Sequence, residues 1–145
     1  MDQRRGDALL HTSAYRVLYG DTDAGGVVYY GAYMRLLELG RTEFLREVVG
    51  VSYGELVEQG LIFPVVELRC RYHAPARYDD LLKIDTWIEE VTGATVRFAY
   101  TIRRAGLAGP LLTGHTINAA VNPSGRPVRI PRDLALRLRE VVRKP

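Results

Sequence analysis

Two carboxylates stand two residues apart in the stretch Gly20-Asp21-Thr22-Asp23-Ala24-Gly25-Gly26, and an amphipathic run of helical period begins shortly after this stretch, at about Gly31. A helix start presents unpaired backbone N–H groups and a partial positive charge. Such a terminus can hold an oxyanion. A carboxylate a few residues upstream could attack a carbonyl carbon, or activate water to do so. The alternative is that Asp21 and Asp23 are ordinary turn formers, a role in which Asp is common.

The elements around this loop follow from periodicity. Residues 14–19 are expected to form a strand entering the loop. From about Gly31 to Val49 the period is 3.6, with Tyr33, Leu36, Leu37, Gly40, Phe44 and Val48 on one face. That predicts a helix about 28 Å long. Gly40 costs about 1 kcal/mol against Ala in a helix. Its place on the apolar face implies close approach to a sheet, and Gly50 is the expected stop. Ser52 and Glu55 have capping-box spacing for a short helix over 52–59. From Leu61 onward the period is two. Ile62, Val66, Leu68, Cys70 and Tyr72 share one face; Leu82, Ile84, Thr86 and Ile88, then Val96, Phe98, Tyr100 and Ile102, continue the alternation. A strand over 111–122 and an amphipathic helix over about 131–143 complete the chain. Hairpin-length turns make antiparallel neighbours. The expected fold is therefore α+β, a curved antiparallel β-sheet wrapped around a long central α-helix, as one domain over 1–145 with its core at about 12–133.

Composition agrees with one compact domain. The chain has 145 residues with 47% hydrophobic residues, and 20 Lys+Arg against 17 Asp+Glu leave a net charge of +3. So small an excess permits an anionic ligand without arguing for nucleic acid, and no helix-turn-helix or aromatic-basic motif is present. No apolar run approaches the roughly 20 residues of a membrane span, and the charged start lacks the apolar core of a secretory signal. The single cysteine, Cys70, excludes an internal disulfide and a Cys-cluster metal site. His11, His73 and His115 have no ligand spacing. The expectation is a soluble cytoplasmic protein with no metal and no cofactor.

The segment Tyr15-Arg-Val-Leu-Tyr-Gly-Asp-Thr-Asp-Ala-Gly-Gly-Val-Val-Tyr-Tyr-Gly-Ala-Tyr-Met-Arg-Leu-Leu-Glu, followed by Gly40-Arg-Thr-Glu-Phe-Leu-Arg, resembles the opening of the 4-hydroxybenzoyl-CoA thioesterase family, in particular its YbgC-like branch. Tyr72-His-Ala-Pro-Ala-Arg-Tyr-Asp-Asp and Asn122-Pro-Ser-Gly-Arg-Pro-Val-Arg-Ile-Pro continue the likeness over roughly residues 12–133. The resemblance implies a hotdog fold, an acyl-CoA substrate, and a homo-oligomer, commonly a tetramer built as a dimer of dimers. It implies that Asp23 is the catalytic carboxylate and that the backbone N–H of Tyr30, seven positions later, is the oxyanion donor. Gly25, Gly26, Val27 and Tyr29 would then border the substrate. Arg69, Arg71, Arg77, Arg126 and Arg129 are candidates for the anionic CoA tail, although a solvated surface position is the commoner role for each, and Arg77 is placed with the substrate-binding residues. Many YbgC-like members carry His where this chain has Tyr30; a main-chain donor does not depend on that side chain. The basic cluster that the 4-hydroxybenzoyl-CoA enzymes place after the strand around Ile88 is replaced here by Val91-Thr92-Gly93-Ala94. Asp21 is read as structural, holding the turn through backbone N–H groups. Glu43 is read as a surface or interface residue. An acyl-carrier-protein thioesterase and a non-catalytic acyl-CoA-binding protein are the alternatives, and an intact Asp23 with its glycine loop favours catalysis.

Overall fold

The computed structural model describes residues 9–144. Strand β1 (His11–Arg16) is followed by a 3-10 turn, Tyr19–Asp21, and by helix α1 (Ala32–Phe44). Helix α2 (Tyr53–Glu58) then leads into β2 (Val65–Tyr72), β3 (Leu81–Val91), β4 (Thr95–Arg104) and β5 (Pro110–Ala119), and helix α3 (Arg132–Glu140) ends the chain. All five strands form one antiparallel sheet in the order β1-β3-β4-β5-β2. The β3-β4-β5 meander is its centre. Strands β1 and β2 occupy opposite edges, so the chain between them has to cross the sheet, and that crossing carries α1.

The sheet face beneath α1 is apolar because β3 and β4 alternate. Leu82, Ile84, Thr86 and Ile88 are buried, as are Val96, Phe98, Tyr100 and Ile102. From the helix side Ala32, Tyr33, Leu36, Leu37, Gly40 and Phe44 are buried against them. Gly40 sits where the backbone comes closest to the sheet. A Cβ there would lie 2.9 Å from Ile84 Cγ2 and closer still to Thr86 Oγ1.

Several boundaries differ from the sequence expectation: β5 stops at Ala119 rather than 122 and α3 at Glu140 rather than about 143, and three further differences have identifiable causes. First, β1 ends at Arg16, and Leu18 and Tyr19 are exposed. The Leu18 N–H is captured by the Asp21 side chain at 2.8 Å, which bends the chain out of the sheet. Second, α-helical geometry stops at Phe44 and a π-helical turn, Leu45–Val49, follows; Gly50 and Val51 both donate to the Leu45 carbonyl, and Gly50 closes the turn at φ +81°. Third, β2 begins at Val65, because Phe63 N–H is held by the Tyr53 hydroxyl and Ile62 makes only an isolated bridge to Val121. Val65, Leu68 and Tyr72 of β2, opposite the buried Asn118, Thr116 and Leu112, lie on the helix-side face and are exposed, since α1 packs chiefly over β1, β3 and β4; a bulge at Val66 breaks the alternation that placed Val66 on that face. The short helix has the expected cap: Ser52 Oγ accepts from Glu55 N–H at 3.1 Å.

Gly40→Ala tests the helix–sheet approach. Helix propensity alone favours Ala by about 1 kcal/mol. Overpacking against short, fully buried side chains opposes it by about 1–3 kcal/mol. The expected result is a lower urea midpoint with an unchanged slope; a more stable Gly40→Ala protein would show that the approach is looser than described.

Candidate active site

The loop between β1 and α1 is built around Asp21, which is 3% exposed. Its carboxylate accepts from the Tyr15 hydroxyl at 2.7 Å, from Leu18 N–H at 2.8 Å, and from the Arg35 guanidinium. These donors come from β1, the following turn and α1. Burial alone would raise the Asp21 pKa, but the Leu18 N–H, the Tyr15 hydroxyl and the Arg35 charge outweigh it and hold the carboxyl below its ordinary value. The structural reading of Asp21 thus extends beyond backbone donors. Arg35 and Tyr15 were not singled out by spacing; Tyr15 lies on the expected strand and Arg35 on the polar side of the helix pattern.

Asp23 stands on a tight hairpin. Its N–H donates to Val27 O at 2.9 Å, Gly26 N–H donates to Asp23 O at 3.0 Å, and Thr22 bridges Val28. The three-residue tip Ala24-Gly25-Gly26 has its last residue at φ +80°, the left-handed position that such hairpins give to glycine. The Asp23 side chain is exposed. Oδ1 accepts from Gly25 N–H at 2.8 Å and more weakly from Val27 N–H at 3.4 Å. Oδ2 has no partner among the described residues. One carboxylate oxygen is therefore fixed and the other is unengaged. A Cβ on Gly25 would fall 3.2 Å from Oδ1, so glycine keeps that side of the carboxylate open.

The hairpin is stapled to the loop after β2. Val28 N–H donates to Ala76 O at 2.8 Å, and Val27 bridges Arg77. This brings Arg77 beside the Asp23 hairpin, a neighbourhood that no sequence spacing signals. Arg77 N–H is held by Asp80 Oδ2 at 2.8 Å, and its side chain is exposed. Arg69 and Arg71 lie on β2, and Arg126 and Arg129 lie between β5 and α3, on segments of their own.

At the front of α1, Tyr29 N–H donates to Asp21 O and Ala32 N–H to Tyr29 O. The N–H groups of Tyr30 and Gly31 have no acceptor among the described residues. The Tyr29 ring lies over Gly31, 3.0 Å from where a Cβ would be. Tyr30 is 78% exposed and borders an open cleft of about 310 Å³ with Val28, Tyr33, Tyr72, His73 and Pro75. Tyr72 donates its hydroxyl to Tyr30 O at 3.3 Å and packs edge-on against Tyr33. Burial pushes the Tyr33 and Tyr72 hydroxyls above their ordinary pKa, so both stay neutral. Asp23 does not line this cleft; it stands on the hairpin that precedes it.

Other polar residues have structural partners. His115 Nε2 donates to Glu67 at 3.0 Å, His73 pairs with Thr113 at 2.8 Å, and Glu43 pairs with Arg46. Burial pushes the Cys70 thiol up. Among the described residues no group of three His, Cys, Asp or Glu is placed to hold a metal ion, and no helix is long and apolar enough to cross a membrane.

The family model of the thioesterase superfamily matches residues 25–109, which run from the glycine hairpin to the end of the β4–β5 turn. The chain belongs to the thioesterase superfamily. A thioesterase-superfamily relative, the acyl-CoA thioesterase YbgC of Haemophilus influenzae, is 40% identical over 121 residues, covering 82% of this chain and 87% of that protein. The crystal structure of the hypothetical protein TT1821 from Thermus thermophilus matches with a TM-score of 0.84 at 31% identity, over 91% of this chain and 97% of that one. The gentisyl-coenzyme A thioesterase BH1999 matches with a TM-score of 0.79 at 28% identity, over 88% and 99%. The architecture is the hotdog fold, α+β, as the resemblance implied. This superfamily member is a thioester hydrolase.

The Asp21 cluster gives a pH-dependent expectation. Because its folded pKa is depressed, its stabilisation is complete above the unfolded pKa near 4 and is lost as pH falls through the lower folded value. Asp21→Asn should cost on the order of 2 kcal/mol at pH 7. That difference should shrink on acidification below about pH 4. A stability gap between the two proteins that stays constant down to pH 2 would contradict the cluster's electrostatic role.

Proposed function

We propose that this thioesterase hydrolyses acyl-CoA, with Asp23 as the acting carboxylate and the Tyr30 backbone N–H as the oxyanion donor. The observation that carries this reading is the division of labour between the two aspartates. Asp21 is buried and saturated with partners, whereas Asp23 is exposed on a rigid hairpin with Oδ2 unengaged. Two unengaged N–H groups at the front of α1 follow in the same segment. The thioester oxygen accepts from Tyr30 N–H, where the helix terminus stabilises the charge that develops. Asp23 then acts by one of two routes. It attacks the carbonyl carbon, expelling CoA thiolate and leaving a mixed anhydride that water cleaves to regenerate the carboxylate. Alternatively, it takes a proton from the water that attacks. Both routes give one carboxylic acid and one thiol, and the thiolate is a good leaving group.

Gly25, Gly26, Val27 and Tyr29 border the acyl group in this reading. Arg77, exposed beside the hairpin, faces the phosphates of the CoA tail. The names of the relatives support a CoA thioester as substrate, and the acyl group of this reading is small or medium. Strand β2, an edge with exposed Val65, Leu68 and Tyr72 on its helix-side face, pairs with a second copy to extend the sheet. Two such dimers form a tetramer. Sedimentation should therefore give a species larger than a monomer; a monomer at micromolar concentration would refute this assembly.

Thiol release from a panel of acyl-CoAs tests the chemistry. Asp23→Asn should lower turnover by on the order of a thousandfold with unchanged far-UV circular dichroism. Tyr30→Pro, which deletes the N–H, should lower it by about 10²–10³. Full turnover in folded Asp23→Asn would remove Asp23 from the mechanism.

A further inference from the structure

The first turn of α1 leaves one carbonyl out of its own pattern. Ala32 N–H donates to Tyr29 O at 3.0 Å, and Met34 N–H donates to Gly31 O at 3.2 Å. Both pass over the Tyr30 carbonyl that lies between. Among the described residues its one donor is the Tyr72 hydroxyl, at 3.3 Å. The N–H of the same peptide unit, that of Gly31, has no acceptor among the described residues. A side chain from outside the helix therefore sets the plane of the Tyr30–Gly31 peptide.

Tyr72 is the last residue of β2 and reaches α1 from the edge of the sheet. It stands opposite the buried Leu112, so its ring leaves β2 on the helix side. The ring packs edge-on against Tyr33, with centroids 5.4 Å apart. That packing does not account for the hydroxyl, because a Phe would fill the same place and Tyr72 is 46% exposed. Burial of part of the ring raises the pKa of the hydroxyl, so it keeps its proton and remains a donor at neutral pH.

We propose that Tyr72 is a positioning residue for thioester hydrolysis: its hydroxyl holds the Tyr30 carbonyl and so sets the Gly31 N–H beside the Tyr30 N–H as a second donor to the oxyanion. This rests on the assignment of the Tyr30 amide made above. The likeness of the two amides carries it. The Tyr30 N–H belongs to a peptide whose carbonyl, Tyr29 O, is held by Ala32 N–H; the Gly31 N–H belongs to one whose carbonyl is held by Tyr72. A hydrogen bond to a peptide oxygen polarises the N–H of the same unit. Negative charge arriving at that N–H in turn makes the carbonyl a better acceptor. The bond from Tyr72, long for a hydroxyl donor in the free protein, thus tightens as the thioester oxygen gains charge. Its contribution is larger in the transition state than in the substrate complex, so it falls on kcat rather than on KM.

Thiol release by Tyr72→Phe, with the acyl-CoA that the unsubstituted protein cleaves fastest, tests this role. The substitution keeps the ring against Tyr33 and removes only the hydroxyl. The kcat should fall about five- to tenfold, the worth of one neutral hydrogen bond, with KM unchanged within about twofold. In isotope-labelled protein the NMR signals of the Tyr30 carbonyl carbon and the Gly31 nitrogen should shift, while those of the Asp23 hairpin stay in place. An unchanged kcat, a rise in KM alone, or unmoved Tyr30 and Gly31 signals would each overturn the proposal; the second would mean that the hydroxyl meets substrate rather than main chain. Asp23→Asn, assayed alongside, keeps two failures apart. Full turnover in Asp23→Asn removes the hydrolytic reading itself. Full turnover in Tyr72→Phe beside an inactive Asp23→Asn removes only the role of Tyr72.

Discussion

A single buried carboxylate organises the functional end of this protein. Asp21 draws together the Tyr15 hydroxyl, the Leu18 N–H and the Arg35 guanidinium, so β1, the 3-10 turn and the first turns of α1 share one electrostatic knot. A charge in that position is tolerable only when its lone pairs are met, and three donors from three segments meet them. The consequence is positional. With Asp21 fixed, Tyr29 N–H is tied to Asp21 O, and the hairpin carrying Asp23 and the unengaged N–H groups of Tyr30 and Gly31 leave the knot on either side of it. Asp23 needs no burial of its own; two N–H groups of its own loop hold one of its oxygens.

The sheet supplies rigidity rather than chemistry. Its edges are formed by the first two strands in the chain, so α1 must span the sheet, and Gly40 allows the helix to lie close against Ile84 and Thr86. Position along the helix axis is thereby restrained at one point of tight contact, while the Asp21 knot restrains the helix start. The loop after β2 closes the arrangement by bonding Val28 and Val27 to Ala76 and Arg77. The candidate site on this surface loop is thus held from three directions.

Much of this was legible in the residues. The helix, the strand alternation, the Ser52 cap and the close approach at Gly40 follow from periods and from residue types that have one physical use. The ends of elements were less legible because tertiary partners set them. β1 stops early since Asp21 captures Leu18 N–H, and β2 starts late since Tyr53 holds Phe63. The exposed face of β2 reads as core in the sequence, since alternation reports which residues share a face and not whether a helix covers it. At the site, the glycine hairpin and the helix start were visible in order and spacing. The Arg35 and Tyr15 partners of Asp21 and the adjacency of Arg77 to Val27 depend on contacts between distant segments, which no local pattern encodes.

The most direct measurement is a crystal structure with a non-hydrolysable acyl-CoA analogue bound. Expected is its carbonyl oxygen about 3 Å from the Tyr30 nitrogen, with Asp23 Oδ2 facing the carbonyl carbon or a water poised on it. A carbonyl oxygen bound elsewhere, with Asp23 and the Tyr30 amide turned toward separate cavities, would contradict the assignment of both groups.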